Sequence, residues 1–171
     1  ASRKMAELEQ YTLNGEVFLM GYSQGGQVTM ALQRMIERDH VDEFNIIASA
    51  PMAGPYDPAG VQFDYVTKDT AYASPGYLPY VIYGMNEAYD LYDDPSILFN
   101  DEYRSAIVNT FIDPIELTLP QLEELLPLSK IPSDILTAEE REKIINDPNH
   151  PLRLALAKNA TLDWVPKAKM R

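Results

Sequence analysis

The stretch that most constrains this chain is Gly21-Tyr22-Ser23-Gln24-Gly25-Gly26, set between an apolar run and an amphipathic one. Glu16 to Met20 is short, has β-branched and aromatic members, and stops at Gly21, so it reads as a buried strand feeding a tight turn. Beyond the turn Val28, Ala31, Leu32, Met35 and Ile36 recur at helical spacing, while Gln27, Gln33, Arg34, Glu37 and Arg38 fall mostly on the other face. A reversal from strand to helix within a few residues strains the backbone of the central serine, and small residues at Gly21 and Gly25 are what let strand and helix approach. Ser23 is then pushed out at the strand's C-terminal end. There the first turn of the helix presents free N–H groups, and that of Gln24 is placed to stabilise an oxyanion. Gly26 leaves the backbone open on the same side. The stretch reads as a nucleophilic serine rather than a structural turn serine.

Composition narrows the remaining possibilities. The 171 residues and 46% hydrophobic content suit one domain with a real core, which is the default expectation. A formal net charge of −12 disfavours nucleic acid and anionic membrane as partners. The one basic cluster, Lys167, Lys169 and Arg171, reads as a solvated tail. With no cysteine, disulfides and thiolate chemistry are excluded, and two histidines are too few for a convincing histidine metal site, so neither metal nor cofactor is expected. No run reaches the length of a membrane-spanning helix, and Ala1 opens no signal peptide. Acidic composition suits secretion and cytoplasm equally.

Taken in order, residues 1–13 suggest the end of an amphipathic helix, with Met5, Leu8 and Tyr11 or Thr12 on one side. After the helix that follows Ser23, Phe44 to Ala50 forms a second apolar strand, and the two strands with their helix make one right-handed βαβ unit with parallel strands. A two-stranded parallel sheet cannot cover both of its own faces. Pro51, Gly54, Pro55, Pro58 and Gly60 mark a long loop, and helical signals follow it almost to the end. Tyr77 to Ala88 reads as a helix with an aromatic face, Asp94 and Asn100 look like caps of the next two, and Tyr103 to Thr110 continues the pattern. Thr118 to Gln121 and Thr137 to Glu140 match the capping box, which predicts helices near 119–126 and 138–146. Pro151 opens a last helix to about Lys158. No internal repeat and no low-complexity segment is evident.

Gly21 to Gly26, Ala-Ser-Ala-Pro-Met-Ala-Gly-Pro-Tyr-Asp at 48–57 and His-Pro-Leu-Arg-Leu-Ala-Leu at 150–156 together resemble the α/β-hydrolase superfamily, in particular its bacterial secretory-lipase-like esterases. The likeness covers nearly the whole chain. It implies an α/β fold in which residues 1–57 are part of the hydrolase core around the nucleophile turn, 58–160 a mainly helical cap, and 161–171 a return toward the core. It also implies a small-molecule ester as substrate and export to the periplasm or beyond. The cap would exclude water and shape a pocket, with Tyr77, Tyr80 and Tyr83 as candidate lining, although each tyrosine also suits ordinary helix packing.

A serine nucleophile needs a base and an orienting carboxylate, which in this fold follow in the order Ser, Asp or Glu, His. His40 follows Ser23 by about fifteen helical residues at ~1.5 Å each, which removes it by ~20 Å. His150 comes in the right order, but within the cap, and Asp134, Asp147 and Asp163 lack a core strand to place them. The expectation is an internal fragment that holds the nucleophile and cap, lacks its acid and base, is inactive alone, and self-associates or needs the rest of the hydrolase. A serine peptidase of the prolyl-oligopeptidase type and a non-catalytic scaffold of the same fold are the alternatives.

Overall fold

In a computed structural model, residues 2–112, 120, 121, 124 and 129–171 are described, and the chain divides into two units, Ala1–Tyr56 with Thr161–Arg171 and Asp57–Ala160. The helix expected near 119–126, with its cap at Thr118, lies largely outside the described residues. Among those residues no helix is long and apolar enough to cross a membrane.

The first unit contains α1 (Ser2–Leu8), β1 (Glu16–Tyr22), α2 (Gln24–Asp39), β2 (Asn45–Met52) and β3 (Lys169–Met170). The strands are parallel, in the order β1-β2-β3. Asn14 starts β1: its amide oxygen accepts the Glu16 N–H at 3.0 Å, while Gly15 supplies a positive φ of 81°. Val17 pairs with Ile46 but Phe18 with Ala48, so Ile47 is an extra residue on β2. Beyond this bulge Phe18, Met20 and Tyr22 lie beside Ala48, Ala50 and Met52, and Leu19 and Gly21 beside Ser49 and Pro51.

Two expectations change here. The strand ending at Gly21 was expected to be buried, yet Phe18, Met20 and Tyr22 are 66%, 75% and 72% exposed. Only the Leu19–Gly21 face is covered, by α2, because the described residues of this unit provide no second layer. The helix keeps Ile36 inward as expected but otherwise turns a different side: Gly26, Thr29 and Gln33 are buried, whereas Val28, Leu32 and Met35 are exposed. The cause is close packing. A Cβ on Gly21 would stand 2.5 Å from the Thr29 hydroxyl oxygen, so the first turns of the helix meet the sheet through the small residues Gly26 and Thr29 rather than through Val28.

The terminal basic segment is not a solvated tail. The Glu37 carboxylate accepts the Lys167 and Ala168 N–H groups at 2.8 and 2.9 Å, and Lys169 and Met170 then pair with Ala48 and Ser49. Gln33, read as an outward residue, is fully buried and donates to the same carboxylate at 2.7 Å. Burial acts to raise the Glu37 pKa, but the Ala168 and Lys167 amides together with Gln33 outweigh it and hold the carboxyl below its ordinary range. Arg34 pairs with Asp163, which fixes the approach to this strand.

The second unit is helical, with α3 (Val61–Thr67), α4 (Tyr77–Tyr89), α5 (Asp101–Ile112), α6 (Ala138–Asn146) and α7 (Pro151–Lys158), plus 3-10 turns at Pro95–Leu98 and Pro132–Ile135. Its core includes Phe63, Ile82, Phe99, Ile107, Ile135, Ile144 and Leu152. Helix α3 begins immediately after the loop marked by Pro51 to Gly60. Asp57 holds its start, accepting the Gly60 and Val61 N–H groups at 3.1 Å each.

Contrary to the sequence reading, a short internal repeat is present. Pro95-Ser96-Ile97-Leu98-Phe99-Asn100 and Pro132-Ser133-Asp134-Ile135-Leu136-Thr137 each form a buried Pro-Ser 3-10 turn, an extended residue and then a helix start. The two copies pair reciprocally. Phe99 bridges Leu136 antiparallel, the Asn100 N–H donates to Ile135 O and the Thr137 N–H donates to Leu98 O, both at 2.9 Å. Apolar residues at matching places thus meet where the two copies pair, and a motif of so few residues sets no period along the sequence.

Candidate active site

Ser23 is the single residue between the end of β1 and the start of α2. Its φ of 55° and ψ of −127° are a conformation that side-chain-bearing residues rarely adopt. Three backbone bonds hold it there: Ser23 N–H donates to Met52 O at 2.9 Å, and Ser23 O accepts from Gly26 N–H at 2.9 Å and Gln27 N–H at 3.4 Å. The residue is exposed, and its hydroxyl has no hydrogen-bond partner among the described residues. The Gln24 N–H, at the first position of α2, likewise has none, so it points a free donor out of the positive end of a 16-residue helix.

The glycines divide the work differently from the expectation. A Cβ on Gly21 would lie 2.0 Å from Gly25 O, so Gly21 is required for the turn. One on Gly26 would lie 2.5 Å from Met52 O and 3.0 Å from the Tyr56 hydroxyl, so Gly26 is required for the contact with β2. A Cβ on Gly25 would meet none of the described residues within 4 Å, and Gly25 shares in the close approach only through its backbone carbonyl, which stands against Gly21.

Sequence reasoning missed two residues next to the site. Ala53 follows β2 with a φ of 49°, a second strained position beside the Met52 carbonyl that holds Ser23. Tyr56 lies against the first turn of α2 in the space left by Gly26 and Gly54. The clue was available in the small residues Gly26 and Gly54, whose missing side chains make room for the one aromatic side chain.

Neither histidine is joined to Ser23. His40 caps the far end of α2, its N–H bonded to Ile36 O at 2.9 Å and its Nδ1 3.5 Å from Glu43. His150 is 4% exposed in the helical unit with both ring nitrogens engaged. Nδ1 accepts the Leu152 N–H at 3.3 Å, capping α7, which leaves Nε2 to carry the proton donated to Glu140 at 2.7 Å. Tyr92 packs beside this pair, and burial, followed by the Glu140 charge, pushes its phenol far up.

Asp134 accepts from Ser129 Oγ at 3.1 Å, Asp147 accepts the Asn149 N–H at 2.8 Å, and Asp163 pairs with Arg34, so each of these carboxylates has a local structural partner. Among the tyrosines, Tyr83 stacks within the helical unit between Phe111 and Phe99, with ring centroids 4.9 and 6.2 Å apart, and burial raises its pKa. Tyr77 and Tyr80 remain 38% and 50% exposed on α4.

No family model and no curated protein sequence matches the chain. Solved structures do. The rice cell wall degrading esterase LipA from Xanthomonas oryzae is 30% identical, with a TM-score of 0.86 over 99% of this chain and 45% of that one, and a ligand-bound form of LipA, also 30% identical over the same shares, gives 0.85. A provisionally assigned hydrolase from Legionella pneumophila, 20% identical, gives a TM-score of 0.82 over 99% of this chain and 44% of that one. The chain spans less than half the length of these proteins. Parallel strands, a strained serine between strand and helix, and these structural neighbours together establish that the chain has part of an α/β-hydrolase fold of the esterase-like kind.

Proposed function

We propose that this chain carries the nucleophile of a serine hydrolase of carboxylic esters. Ser23 attacks the ester carbonyl, the alcohol leaves, and water hydrolyses the acyl-enzyme. The Gln24 N–H donates to the oxyanion of each tetrahedral intermediate. The observation that carries the proposal is the strained φ of 55° at Ser23 beside a free helix N-terminal donor. An esterase among the 30%-identical neighbours favours ester over peptide as the substrate class.

The base and acid come from polypeptide beyond these 171 residues. His150 supports this because its imidazole is occupied on both sides, and His40 because it closes the opposite end of α2. The 171-residue chain alone is therefore expected to show no turnover of short acyl esters, while the same chain extended by its flanking coding sequence hydrolyses them in a Ser23-dependent way. Turnover by the isolated chain that is lost in Ser23→Ala would refute the assignment of base and acid. Turnover by the extended protein that survives Ser23→Ala would refute the nucleophile.

A further inference from the structure

We propose that Tyr56 is a positioning residue for Ser23, acting through the end of β2 and the first turn of α2. The proposal rests on Ser23 as the nucleophile. Four observations converge on the ring. Gly26 and Gly54 each lack a Cβ where one would lie 3.0 Å from the Tyr56 hydroxyl and 2.6 Å from its Cε1, so the ring fills the gap between them. The same Gly54 position would stand 2.6 Å from the Gln27 nitrogen, which places the loop after β2 directly against α2. The Tyr56 carbonyl accepts the Thr161 N–H at 2.9 Å, and the Tyr56 N–H donates to Gly54 O at 3.0 Å, so the residue is held at both ends of its backbone. Finally, its hydroxyl is buried without a partner among the described residues.

These contacts make Tyr56 a wedge. Met52 O is the acceptor that fixes the Ser23 N–H, and the Tyr56 hydroxyl borders the same side of Gly26 as the Met52 backbone. Removing the ring lets β2 and α2 shift against each other, and the Ser23–Met52 bond is the first contact to feel it. The hydroxyl has no hydrogen-bond partner among the described residues, so phenylalanine should serve as well as tyrosine.

The test is amide hydrogen exchange by nuclear magnetic resonance on the 171-residue chain, comparing wild type, Tyr56→Phe and Tyr56→Leu. In Tyr56→Leu the Ser23 amide should exchange about tenfold faster while Gln33 and Ile36 in the middle of α2 stay within about twofold of wild type, a local rather than global opening. Tyr56→Phe should match wild type at all three. A silent Tyr56→Leu, an equal rise at every amide, or a Tyr56→Phe as disruptive as Tyr56→Leu would each overturn the proposal. Exchange requires no catalysis, so failure of the nucleophile reading would show separately, as unaltered labelling of Ser23→Ala by a covalent serine probe.

Discussion

Replacing Gly26 with alanine should cost far more than replacing its neighbour Gly25. An added Cβ at position 26 would stand 2.5 Å from Met52 O and 3.0 Å from Met52 N, both backbone atoms of a paired strand. Ordinary contact needs ~3.5 Å, so α2 and β2 must part by roughly 1 Å, and with no flexible side chain to yield the cost lies near the top of the overpacking range, ~3 kcal/mol. At position 25 the Cβ meets none of the described residues, and alanine gains up to ~1 kcal/mol of helix propensity. Urea unfolding followed by circular dichroism resolves the difference: with a slope of ~2 kcal/mol per molar, Gly26→Ala should lower the midpoint by ~1.5 M, and Gly25→Ala should leave it unchanged or slightly higher. Equal midpoints for the two variants, or a larger loss at Gly25, would refute the account of how strand and helix meet.

His150→Ala should destabilise the helical unit by ~2–3 kcal/mol, since it removes the α7 cap and strands Glu140 beside Tyr92; loss of protection confined to α6 and α7 in hydrogen exchange checks it. Glu37 is held below its ordinary pKa in the folded chain, so its contribution is present above the unfolded value of 4.5 and is lost as pH falls through the lower folded value. The amides of Lys167 and Ala168 should therefore lose protection in acid, and Glu37→Gln should remove that pH dependence. The isolated chain should self-associate through the bare side of its sheet, where Phe18, Met20 and Tyr22 are exposed, and Met20→Lys should shift sedimentation toward monomer.

What could be read from sequence depended on how local its cause was. Ser23 and its flanking strand and helix follow from a few adjacent residues, as do α6 and α7, whose starts are written in Thr137 and Pro151. Even there a distant partner intervened. Thr137 caps the Glu140 N–H at 3.2 Å, but the Glu140 carboxylate goes to His150, the cap of the next helix, and so completes a tertiary contact instead of a local box. Contacts between remote segments left no periodic trace. Glu37 reads as one more charge on an outer helical face until residues 167–168 supply the amides it binds. Helical spacing likewise pointed to Val28, Leu32 and Met35 along with Ile36 as the inward side, and only Ile36 of these is buried, because apolarity is visible in a sequence and the need for small residues where Gly26 and Thr29 meet the sheet is not.

The nucleophile is tested most directly by covalent labelling. A fluorophosphonate probe should modify the chain, extended by its flanking coding sequence, at one serine, and mass spectrometry of the digested product should place the adduct on Ser23. Ser23→Ala should abolish it. An adduct on another serine, or labelling undiminished in Ser23→Ala, would contradict the account.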